Sequence, residues 1–143
     1  METNRYKPQS VFHPGVTLQE KLDEMGMGPK EFAIRTGKPS KTITAILKGE
    51  SSVTTEMAFI FENVLQIPAH FWTNSQRRFE EYQASLRRGD DMKKAVSWAK
   101  QFPVSEMIRK QWIPSAETWE EKTEELLSFF GVSAPKAWKD YYL

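Results

Sequence analysis

Lys38, Ser40, Lys41, Thr44 and Lys48 surround the apolar residues Ile43, Ile46 and Leu47 at helical spacing. If Ile43, Ile46 and Leu47 anchor one side of a helix, ammonium and hydroxyl groups are left on the other. Such a face suits the major groove of double-stranded DNA. Lysines neutralise phosphates or reach guanine acceptors, hydroxyls exchange hydrogen bonds with base edges, and Ala45 allows close approach to a thymine methyl. Lys30, just upstream, adds to the same basic region.

Catalytic chemistry has little to draw on. His13 and His70 lie far apart and neither sits in a partner motif; His13 is expected to shape the entry to the first helix and His70 the first turn of a later one. With no cysteine there is no disulfide and no thiolate metal site, a composition compatible with a reducing compartment. The acidic cluster Glu117, Glu120, Glu121, Glu124 and Glu125 lacks the glycine-centred loop of a calcium site and reads as a solvated helix face. No phosphate-binding glycine loop is present either. The expectation is therefore no catalytic residue, no metal and no cofactor.

The groove-facing set needs a frame to hold it, and residues 28 to 49 supply one. Ala33 is small enough for a second helix to cross closely, Gly37 can take the positive φ of a sharp turn, and Ile43 and Ile46 anchor the second helix. This is the pattern of a helix-turn-helix, with residues 39 to 48 as the recognition helix. An ordinary helical hairpin with a polar outer side has the same pattern.

Every other periodic segment also reads as helix, so the chain is expected to be all-α. Leu18, Leu22 and Met25 form a first stripe, broken by Gly26 and Gly28, and Pro29 suits the first turn of the second helix. Thr54 caps a fourth helix bearing Met57, Ala58, Phe61, Val64 and Leu65. A fifth carries Trp72, Phe79 and Leu86 seven residues apart, which fits either a seam between paired helices or packing on the protein's own core. Arg87 to Asp91, charged and containing Gly89, marks a break, dividing the chain into residues 1–86 and a helical extension over residues 90–143. In the extension, Pro103 and Pro114 stop two amphipathic helices. Thr118 with Glu121 forms a capping box for a third, ended by Gly131, and a last helix carries Trp138, Tyr141, Tyr142 and Leu143. That last face is apolar and calls for something to pack on it.

A net charge of +1 over 143 residues looks modest for a nucleic-acid binder. The distribution is uneven, however: residues 28 to 48 hold Lys30, Arg35, Lys38, Lys41 and Lys48 against Glu31 alone. Arg5 and Lys7 could add phosphate contacts as an arm. No apolar run approaches the roughly 20 residues that span a bilayer, and the start lacks the apolar core of a secretory signal, so a cytoplasmic protein without membrane contact is expected.

His13-Pro-Gly15, Thr36-Gly-Lys-Pro39, Lys41-Thr-Ile43, Ile46-Leu-Lys-Gly49 and Phe71-Trp72 resemble the HigA-type antitoxins of the lambda-repressor-like (XRE) helix-turn-helix family, over roughly residues 11 to 83. The resemblance implies a five-helix DNA-binding domain, a homodimer on a palindromic operator, and repression of a toxin–antitoxin operon. Trp98-Ala-Lys-Gln-Phe-Pro103, Trp112-Ile113, Phe129-Phe-Gly-Val132 and Ala137-Trp138 resemble the linker of related regulators fused to an ImmA/IrrE-type zinc peptidase. The peptidase's His-Glu-x-x-His motif does not occur in this chain. The chain also departs from the broader repressor pattern where Pro29 and Pro39 replace a glutamine and a capping serine; the oxygen cap lost at Pro39 is worth about 1 kcal/mol when present. The implied function is a sequence-specific repressor of antitoxin type, with a toxin or peptidase partner. The alternative is a protein-interaction or regulatory module that binds a toxin or zinc-peptidase domain.

Overall fold

The computed structural model describes residues 11–143, which form eight α-helices and, among the described residues, no strand. Arg5 and Lys7, the expected arm, lie outside them. The helices are α1 (Pro14–Glu24), α2 (Pro29–Thr36), α3 (Ser40–Leu47), α4 (Thr55–Leu65), α5 (Ala69–Ala99), α6 (Val104–Arg109), α7 (Trp119–Phe130) and α8 (Pro135–Tyr142). The chain divides between Ala84 and Ser85 into two compact units.

In the first unit, Leu18 and Leu22 of α1, Phe32 of α2, Ile43 and Ile46 of α3, Phe61 of α4 and Trp72 of α5 are sealed from solvent in one core. The rings of Phe32, Phe61 and Trp72 stack in series at centroid distances of 5.2 and 5.4 Å, tilted and edge-on. Thr54 caps α4 by accepting a hydrogen bond from the Met57 amide. The buried Gln76 of α5 accepts one from the Val53 amide at 2.9 Å, tying the segment before α4 to α5.

Trp72 settles one alternative left by the heptad spacing. Its side chain is fully buried in its own unit, so the Trp72–Phe79–Leu86 row cannot be an intermolecular seam at that end. Phe79 is half-buried, with its ring against His13 at 5.1 Å.

The second unit is built around Met92, Trp98, Ala99, Val104, Met107, Ile113, Leu126 and Leu127, with Phe102, Phe130 and Trp138 packed against that core. Thr118 caps α7 through the Glu121 amide, and Gly131 ends it at φ 69°. Four of the five tryptophans belong to this unit; Trp72 alone belongs to the first.

Two expectations require correction here. Arg87–Asp91 does not break the helix, since α5 runs unbroken through it. One interior glycine costs only about 1 kcal/mol relative to alanine, and Gly89 is buried in the fold. Its neighbour Arg88 grips α7, with Nε and Nη2 donating to the two Glu124 carboxylate oxygens at 3.1 and 3.0 Å and Nη1 donating to the Ser133 carbonyl at 3.0 Å. For the same reason the acidic cluster is not a fully solvated face: Glu120, Glu121, Glu124 and Glu125 are all partly covered, and Glu124 is the receptor for Arg88.

Candidate nucleic-acid interface

The geometry of α2 and α3 follows from their ends. Pro29 occupies the first turn of α2, where a missing amide hydrogen removes no helical bond. Gly37 adopts φ 71°, and the paired bonds from the Gly37 amide to the Ile34 carbonyl and from the Lys38 amide to the Ala33 carbonyl close the helix as a Schellman turn. Ala33, buried with Phe32, is the small residue at the crossing. Pro39 then starts α3 without a side-chain cap, while its carbonyl receives the Thr42 and Ile43 amides.

Gly49, at φ 76°, ends α3 in the same way as Gly37 ends α2, with the Gly49 amide bonded to the Ile46 carbonyl and the Glu50 amide to the Ala45 carbonyl. The far end of α3 is also held by α1. His13 caps α1 by accepting the Gly15 amide on Nδ1 at 2.9 Å, and Gly15 leaves no room for a side chain because the Ile46 carbonyl lies directly against it. The Cγ of His13 would be 3.6 Å from a Cβ at Gly49. Position along the chain places His13 at the entry of α1, but its nearness to the end of α3 is tertiary and leaves no mark in the sequence.

Ile43 and Ile46 point into the core, so the opposite side of α3 is turned to solvent. Ser40, Lys41 and Lys48 are exposed, Thr44 and Ala45 half-exposed, and Lys30 of α2 is exposed. Lys41, Thr44 and Lys48, at intervals of three and four, share one helical face. Lys38 is different: it is half-buried and its Nζ lies 3.5 Å from Glu56 of α4. Arg35 is likewise paired with Glu31 at 2.9 Å. Lys30, Lys41 and Lys48 have no ion-pair partner among the described residues, so the local positive excess rests on them. Glu56 is the residue of this region that charge counting missed, because it comes from another helix.

Among the described residues, no group of three or more His, Asp or Glu could hold a metal ion and no helix is long and apolar enough to cross a membrane.

Two short helices joined through a left-handed glycine, the second anchored by isoleucines and outwardly polar, define a helix-turn-helix. No protein-family model matches the chain. Over 63 residues, 44% of this chain and 67% of the relative, it is 33% identical to the uncharacterized HTH-type transcriptional regulator YddM of Escherichia coli (strain K12). Its fold is similar to that of an addiction module antidote protein of a HigA family from Coxiella burnetii, with 28% identity and a TM-score of 0.56 over 60% of this chain and 95% of that one. A solved structure from Nostoc punctiforme PCC 73102, 22% identical, shares the fold with a TM-score of 0.58 over 60% of this chain and 94% of that one. The chain belongs to the HTH-type transcriptional regulators.

Proposed function

We propose that this regulator binds double-stranded DNA sequence-specifically, as a homodimer on a palindromic operator, and represses transcription as the antitoxin-type member of a toxin–antitoxin system. Residues 1–86 would form the DNA-binding domain and residues 90–143 a helical extension. The observation that carries the reading is the split character of α3, with Ile43 and Ile46 sealed in the core and Lys41, Thr44 and Lys48 on the accessible side. In this reading α3 enters the major groove with Ser40, Thr44 and Ala45 nearest the bases, while Lys30, Lys41 and Lys48 meet phosphates and α2 braces the helix over the backbone. Lys38 exchanges the exposed Glu56 for a phosphate on docking; an exposed ion pair is worth at most about 1 kcal/mol and gives way easily. The antitoxin assignment draws on the likeness to the HigA-family antidote protein.

The test is electrophoretic mobility shift on the DNA upstream of the protein's own gene. Lys41→Glu combined with Thr44→Asp is expected to abolish the shift while circular dichroism stays unchanged. An undiminished shift would remove the groove assignment.

A second reading is favoured by one observation: Tyr141 and Leu143 are 78% and 89% exposed at the end of an aromatic cluster formed by Trp98, Phe102, Phe130, Trp138 and Tyr142. In that reading the extension is a protein-interaction or regulatory module for a toxin or zinc-peptidase domain. Pull-down of such a partner by the double variant Lys41→Glu, Thr44→Asp would separate the two activities.

A further inference from the structure

His13 is nine-tenths buried, and the groups that meet its ring come from three elements. From α1, the Gly15 amide donates to Nδ1. From the turn after α3 come Gly49, where an added Cβ would stand 3.6 Å from the ring Cγ, and the Ser51 backbone, whose polar group favours the protonated ring. From α5, Phe79 presents its ring edge-on. None of these is charged. The charged neighbours in sequence, Lys48 and Glu50 beside Gly49 and Glu80 and Arg78 beside Phe79, are all solvent-exposed.

We propose that His13 is a positioning residue for α3, competent only as the neutral imidazole with its proton on Nε2, and that protonation of Nδ1 loosens the end of α3 and weakens DNA binding. This rests on the DNA-binding reading above. Nδ1 accepts the Gly15 amide hydrogen, so the single proton of the neutral ring resides on Nε2. Adding a proton to Nδ1 sets two N–H groups against each other across 2.9 Å and cancels the cap. It also places a cation at the positive end of α1 and inside an apolar pocket, both unfavourable. The displaced cap is not absorbed at Gly15, which has no room for even a Cβ against the Ile46 carbonyl, and that carbonyl in turn receives the Gly49 amide that closes α3. Lys48 lies between Ile46 and Gly49.

Burial holds the imidazole below its usual 6.5, partly opposed by the Ser51 backbone hydrogen bond. Between the folded value and 6.5 the unfolded chain therefore binds more protons than the folded one. The stabilising contribution is complete above 6.5 and is lost as pH falls through the folded value.

The experiment is a heteronuclear NMR titration of the full chain with a parallel anisotropy measurement on its own upstream DNA. The expected spectrum shows Nε2 protonated at neutral pH and a His13 transition below 6.5. The Gly15, Gly49 and Ser51 amides are expected to shift along that transition. Affinity should fall by roughly fivefold or more as His13 protonates. His13→Asn, whose carboxamide oxygen can accept the Gly15 amide and does not titrate, should bind with a flatter pH profile, and His70→Gln should follow the wild type. An Nδ1-protonated ring, amides that ignore the transition, or a His13→Asn profile as steep as the wild type would overturn the proposal. If His13→Asn does not fold, the wild-type titration alone decides. Failure to bind DNA at every pH would count against the DNA reading, while the amide shifts would still decide the role of His13.

Discussion

Gly15 lies so close to Ile46 that a Cβ added at position 15 would stand 2.1 Å from the Ile46 carbonyl oxygen. The contact is backbone against backbone, so no side-chain rotation can relieve it. Gly15→Ala is therefore expected to force α1 away from α3 and cost about 1–3 kcal/mol or more in urea unfolding. Gly49→Ala meets only ordinary contact with His13 at 3.6 Å and bears mainly the strain of φ 76°, about 1 kcal/mol. The order of the two losses is the diagnostic result.

Salt dependence measures how many phosphates the proposed dimer neutralises. With four lysines on each of two protomers about eight phosphates are neutralised, and the logarithm of affinity should fall against the logarithm of salt with a slope near −7. Lys41→Gln removes one contact per protomer and should make that slope shallower by about 2. Lys38→Gln should change the slope by a similar amount but lower the affinity less, since the Lys38–Glu56 pair given up on docking offsets part of that contact. Fluorescence anisotropy across a salt series would check both.

Gln66 and Gln111 adopt φ 60° and 62°, a conformation that favours glycine. Each follows a helix: Gln66 ends α4, and Gln111 follows the last turn of α6, where the Trp112 amide returns to the Met107 carbonyl at 2.9 Å. Replacing either by glycine relieves about 1 kcal/mol of strain and returns part of it through the freer unfolded chain. The expected net gain is about 0.5 kcal/mol per site, additive in the double variant and visible in chemical denaturation.

Arg88→Met should remove both bonds to Glu124 and the bond to the Ser133 carbonyl. Glu124 has only 19% of its side chain exposed, which places the pair between surface and buried ion pairs. A loss of about 2 kcal/mol is expected by thermal unfolding, with a smaller loss for Glu124→Gln.

The structure explains which of these features could be read along the chain. Helix ends with local chemistry were legible: Pro29 opens α2, Thr54 and Thr118 cap α4 and α7, and Gly37 and Gly131 close their helices with positive φ. The outward face of α3 was legible too, because Ile43 and Ile46 fix its rotation. Pairings between distant residues were not. Arg88 meets Glu124 across 36 positions, and this tertiary contact outweighs the small helix penalty of Gly89 that suggested a break. Lys38 was counted as a free cation because Glu56 belongs to another helix. Glutamine at a left-handed position carries no compositional mark, so the ends of α4 and α6 were placed only by their apolar periodicity and Pro114.

The unequal division of tryptophans between the two units has a spectroscopic consequence. Native emission is weighted toward residues beyond Ala84, and a soluble quencher should first find the indole of Trp112, 57% exposed, leaving the sealed ring of Trp72 dark to it. A chain in which Trp98, Trp112, Trp119 and Trp138 are phenylalanine would glow from Trp72 alone, at a blue-shifted wavelength. That lone fluorophore would report melting of the helix-turn-helix core without interference from the rest of the polypeptide.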